Sequence, residues 1–156
     1  MESKEKKKKI LIGIADSPNS RIASNYVREI LGGKEREFEV VLFHVIPKAK
    51  SEEEAKLRRI SEREGLKIIK ETLQEIKNDF VNSGISPGSI RIVVEEGKHE
   101  TVAEGILDYL EKEHFQTVVV GRRGIARSEE FLFGSVSKKI VSEAKGCAVW
   151  VVEPPL

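Results

Sequence analysis

Short apolar runs alternate along this chain with stretches whose apolar residues recur every three or four positions, and that alternation narrows the fold more than any other feature. Residues 10–14 form a short, β-branched run free of charge, the pattern of a strand buried on both faces. Ser17, Pro18, Asn19 and Ser20 then turn the chain, and Asn19 or Ser20 can cap a helix reaching about Leu31. Gly32 and Gly33 end it. Phe38 to Ile46 reads as a second strand, stopped by Pro47. Leu66, Ile69, Leu73, Ile76 and Phe80 then fall at alternating steps of three and four, which puts them on one helix face. Residues 48–61, ahead of that stripe, are mostly charged and are expected to be mobile.

Residues 90–94 form a third strand ending near Gly97, and Val102, Ile106, Leu107 and Leu110 return to helical spacing. Val118, Val119 and Val120 make a fourth strand that runs into Gly121. A glycine-bearing loop reaches Gly134, a helix follows to about Ala144, and Ala148 to Val152 form the last strand before Pro154 and Pro155. Strands separated throughout by helices mean a parallel sheet covered on both faces, a three-layer α/β sandwich of Rossmann-like type. The chain has 156 residues, the size of one domain, and no repeat or linker suggests a second. A single domain is expected over residues 9–153, preceded by a disordered basic tail over residues 1–8.

Composition excludes several functions. Lys and Arg number 27 against 26 Asp and Glu, a formal net charge of +1, which argues against a polyanion or membrane-surface binder. No run approaches the roughly 18–20 apolar residues of a membrane span, and residues 10–14 are too short for a signal-peptide core. Neither nucleic acid nor membrane is therefore expected as a partner. The single Cys147 precludes an internal disulfide and points to a reducing, cytoplasmic setting. His44, His99 and His114 are scattered without metal-ligand spacing or evident acid partners, and Cys147 reads as buried in the last strand. No nucleophile–base pair and no Walker-type glycine–lysine pair is present.

The segment richest in chemistry is Gly121-Arg122-Arg123-Gly124, followed after nine residues by Gly134-Ser135. It starts at a strand end and finishes at a helix start, where doubly wound sheets bind ligands. Glycines there let the main chain approach an anion, and the helix N-terminus adds free amides and a favourable dipole. The same residues are also what tight turns and an N-cap require, and chemistry alone divides the two readings evenly. Arg122, Arg123 and Arg127 can attract phosphates, whereas Glu129 and Glu130 would repel them if turned inward.

These residues carry a resemblance to the universal stress protein family, extending over residues 8–152. Gly121, Gly124, Gly134 and Ser135 match the family's nucleotide-binding pattern without a gap, between a matching strand and a matching helix that begins Gly134-Ser135-Val136. The resemblance implies a five-stranded parallel sheet of order 3-2-1-4-5, an adenine nucleotide alpha hydrolase-like fold, and a pocket for ATP, or for AMP or ADP. Magnesium would enter only through the phosphates. Gly121 and Gly124 would lie along the ribose and phosphates, and Gly134, Ser135 and Val136 would hold the phosphate tail. His44 and Val45 match a pair whose main chain meets the adenine, with His44 itself a packing residue, and Gly97 matches a glycine bordering the pocket.

The family's first strand ends in an aspartate that meets the nucleotide. Here Ala15 takes that place, Asp16 falls one residue later, and one residue along a strand reverses the side chain's direction. Asp16 is expected to substitute; otherwise it serves only an Asx turn before Pro18. The last strand implies a homodimer through Val149, Trp150 and Val151. The family's habit suggests a nucleotide-controlled stress-response or signalling module with at most slow ATP hydrolysis. An interaction scaffold with a degenerate pocket is the alternative. An adenylyl-transferring enzyme is disfavoured by the absence of the motifs such enzymes carry.

Overall fold

A computed structural model describes residues 6–15, 20–122 and 135–154. Among them the chain forms five strands and four α-helices in strict alternation: β1 (Lys8–Gly13), α1 (Ser20–Ile30), β2 (Phe38–Ile46), α2 (Glu52–Ser83), β3 (Ile90–Glu96), α3 (Val102–Lys112), β4 (Thr117–Gly121), α4 (Ser135–Glu143) and β5 (Ala148–Val152). Single 3-10 turns, Glu35–Glu37 and Pro87–Ser89, lead into β2 and β3. All pairings are parallel and the sheet order is β3-β2-β1-β4-β5.

Alternation along the central strands sorts the core into two layers. Ile10 and Ile12 turn to one face, where Val27, Leu73, Ile76 and Phe80 of α1 and α2 meet them. Leu11 turns to the other, with Val41, Phe43 and Val45 of β2, Ala103 and Ile106 of α3 and Ile140 of α4. The apolar stripe expected over 66–80 is therefore the inner face of α2. Its helix, however, starts far earlier than the apolar period suggests. Ser51 Oγ accepts the Glu54 amide (3.0 Å) and Glu54 in turn accepts the Lys50 amide (2.6 Å), close to a reciprocal capping box. Glu52, Glu53 and Glu54 complement the positive end of the helix dipole. The charged segment 48–61 thus enters a capped helix from Glu52 onward, a helix start that the apolar spacing does not reveal.

Cys147 also departs from expectation. It precedes β5 rather than lying within it, and is half-buried. That burial pushes its thiol pKa up. No helix among the described residues is long and apolar enough to cross a membrane.

Candidate functional site

The strands end unevenly at their carboxyl edge, and the gap this leaves is the candidate site. β1 pairs with β2 and β4 only as far as Gly13, opposite Phe43 and Val120, whereas β2 continues to Ile46 and β4 to Gly121. The gap opens beside β1 and β4, the pair at which strand order reverses. Main-chain direction can be counted along the ladder. The Ile14 amide donates to the Phe43 carbonyl (2.8 Å), so Phe43 faces β1. Val45, two residues on, faces the same side, where β1 has ended. The Ile46 carbonyl instead accepts the Gly97 amide (2.9 Å) of the β3 side. On the opposite wall the Arg122 amide donates to the Val152 carbonyl (2.8 Å), toward β5, so the Gly121 carbonyl turns toward the end of β1. Main chain from Val45 and Gly121 therefore flanks the gap beyond the end of β1, and Ala15, two residues past that end, is exposed.

Gly121 lies outside the set of positive-φ glycines, so no turn conformation requires a glycine there. No described atom lies within 4 Å of a Cβ built on it. Gly97, by contrast, sits at φ +69°, where a side chain would be strained. Ser135 is exposed at the first turn of α4, Val136 is half-buried against the α3–α4 core layer, and Ser137 is buried. The crossover from β4 to β5 sets the amino end of α4 at the carboxyl edge of the sheet. Arg122 pairs with Glu153, just beyond β5. Asp16, Gly124 and Gly134 lie outside the described residues, as do Arg123, Arg127, Glu129 and Glu130.

Two features escape the sequence. Gly105, inside α3, sits where a Cβ would come within 2.8 and 2.9 Å of the two Val45 methyls and 3.2 Å of His99 Cδ2. The glycine lets α3 close on the strand that carries the crevice wall; its only signal in the sequence is a glycine amid helical spacing. His99 does have acid partners: Nε2 lies 3.1 Å from Glu95 Oε2 and 3.8 Å from Asp108 Oδ2. Its carbonyl accepts the Lys48 amide (2.8 Å), which ties the exit of β2 to the entry of α3. The Lys112 ammonium, 2.9 Å away and hydrogen-bonded to it, holds the Asp108 carboxyl below its ordinary pKa. Beside Gly97, a cleft of about 270 Å³ is lined by Ile46, Pro47, Arg58, Arg59 and Glu96. No cluster of three His, Cys, Asp or Glu able to hold a metal occurs among the described residues.

The model of the Universal stress protein family matches residues 7–153. The chain belongs to the universal stress protein family. Its fold is likewise that of solved family structures. The hypothetical protein MJ0577 is 23% identical, with a TM-score of 0.74 over 96% of this chain and 97% of that one. A universal stress protein family protein from Arabidopsis thaliana, solved with AMP bound, is 18% identical, with a TM-score of 0.64 over 95% of this chain and 92% of that one. The universal stress protein from Archaeoglobus fulgidus, in complex with dAMP, is 16% identical, with a TM-score of 0.63 over 93% and 97%. No curated protein sequence matches the chain. The expected sheet order of this family, 3-2-1-4-5, is the one observed.

Proposed function

We propose that this chain binds an adenine nucleotide, ATP or its AMP or ADP relatives, in the crevice over the end of β1, and acts as a nucleotide-controlled stress-response or signalling module of the cytoplasm. The observation that carries the reading is the pair of facing main-chain walls, Val45 and Gly121, with Gly121 kept free of a side chain that neither backbone conformation nor described packing forbids. The base would lie along Val45, with Gly97 bordering the pocket. The ribose and phosphates would follow Gly121, Arg122 and Gly124, and the phosphate tail would meet Gly134, Ser135 and Val136 at the amino end of α4. Asp16 would supply the acid contact that Ala15 lacks. Magnesium would be held by the phosphates alone. The family structures with AMP and dAMP support a nucleotide of this class.

Isothermal titration with ATP, AMP and cyclic AMP, each with and without magnesium, tests the reading. Saturable binding of at least one of them is expected. No binding by any favours the second reading, a scaffold with a degenerate pocket, for which Ala15 is the specific observation: an exposed methyl stands where the family strand ends in an acid.

A homodimer through β5 completes the proposal. β5 is an edge strand bearing the half-buried Val149, Trp150 and Val151. The Trp150 ring meets Tyr26 edge-on at 6.2 Å, and Tyr26, Ile30 and Val141 leave further apolar surface on the neighbouring helices. Such an edge invites pairing. Sedimentation at micromolar concentration is expected to give the dimer mass, and Val151→Lys the monomer mass. A monomeric wild type overturns the assignment.

A further inference from the structure

At the end of β1 the parallel ladder is interrupted by a side chain. After the bond from the Ile14 amide to the Phe43 carbonyl, the next bond of a regular ladder runs from the Val45 amide to the Ile14 carbonyl. That bond is absent. The Ile14 carbonyl instead lies 2.7 Å from Nδ1 of His44. A carbonyl can only accept, so Nδ1 carries the hydrogen. His44 is buried, 8% exposed, and its own main chain belongs to the β3 side of the ladder, opposite Val94. Its ring reaches back across the strand to occupy the acceptor that Val45 would otherwise use.

We infer that His44 is a positioning residue: by capping the Ile14 carbonyl it keeps the Val45 amide out of the β1–β2 ladder and available to the base. The sequence reading of His44 as a mere packing residue misses this hydrogen bond. Val45, 4% exposed, would then keep a main-chain donor and acceptor directed past the end of β1, the adenine contact that the family resemblance implies. That pair matches the N1 acceptor and the N6 amino donor of adenine. Hypoxanthine, which offers a carbonyl and an N1–H in those places, reverses both polarities. His44 thus acts on base selectivity without touching the base. The binding part of the inference rests on the nucleotide reading above; the ladder part does not.

Two measurements on the same variants keep them apart. Amide exchange by nuclear magnetic resonance is expected to show the wild-type Val45 amide exchanging at least about tenfold faster than those of His44 and Ile46, which face β3. His44→Phe frees the Ile14 carbonyl for Val45, so that amide is expected to become as protected as its neighbours. His44→Asn, which restores a donor near the Nδ1 position, is expected to keep it fast. Titration with AMP and IMP is expected to show a wild-type preference for AMP of about tenfold or more. His44→Phe should lose that preference through weaker AMP binding alone, and His44→Asn should retain it. Should the phenylalanine variant fail to fold, His44→Leu serves in its place. A protected wild-type Val45 amide overturns the inference. So does exchange or AMP preference that is unchanged in a folded variant lacking the donor. If the wild type binds neither nucleotide, the functional reading fails, and the exchange data still decide whether His44 holds the ladder open.

Discussion

Gly105→Ala is expected to destabilise the protein by about 1–2 kcal/mol, although the same change in an ordinary helix interior would stabilise it by about 1 kcal/mol. Helix propensity favours alanine because the glycine gives up more backbone freedom on folding. Against this stands the position of the new methyl, 2.8 and 2.9 Å from the γ-methyls of Val45 and 3.2 Å from the ring of His99. Those atoms cannot yield easily. Val45 is 4% exposed and β-branched, with its rotation about χ1 already restricted. His99 is held by Glu95 and by the Lys48 amide on its carbonyl. Relief therefore requires α3 to back away from β2, opening the core layer around Ile106 and Phe43. Overpacking of this kind costs about 1–3 kcal/mol and outweighs the propensity gain. Urea unfolding measures the net effect, and a midpoint above that of the wild type would mean that propensity had won. Val45→Ala removes the obstructing methyls, so the double variant is expected to be more stable than the two single effects predict by at least about 0.5 kcal/mol.

Gly105 also illustrates where reading a sequence stops. Strand and helix identities follow from local periodicity, and the ends of β2 and β5 coincide with those expected because Pro47 and Pro154 punctuate them. The entry of α2 does not show in an apolar period, since its first turns are charged on most sides and depend on the Ser51 cap and on Arg58 bonding both Glu54 and the Pro47 carbonyl. Gly105 meets Val45, and His44 meets Ile14, only because the sheet order brings distant segments together. Neither contact has a spacing that a linear pattern can reveal. The sheet order itself came from the resemblance, since alternating strands and helices fit several parallel orders. For the site, the glycine pattern starts at Gly121, the last residue of β4, and its later glycines lie outside the described residues. Which glycine serves the fold and which serves a ligand is a question of φ and of what a Cβ would meet.

That distinction yields the opposite expectation at Gly121. Gly121→Val is expected to leave stability within about 0.5 kcal/mol of the wild type and to weaken adenine-nucleotide binding by at least about tenfold. The residue is exposed at the end of β4, is absent from the positive-φ glycines, and has no described atom within 4 Å of the position a Cβ would take. A β-branched side chain suits a strand and finds room there, so the fold has no described reason to keep a glycine. The ligand would supply one. The same side chain enlarges the wall facing Val45 and stands off any nucleotide whose ribose and phosphates follow the Gly121 main chain. Thermal unfolding without ligand and titration with ATP and AMP separate the two effects. Lost binding with unchanged stability places the nucleotide against Gly121. Unchanged affinity moves the ligand elsewhere, whereas a large loss of stability would return the glycine to the fold. Set beside Gly105→Ala, the variant divides the glycines by physical cause: one lets a helix close on a strand, and the other, with no described neighbour, would be kept bare by the proposed nucleotide.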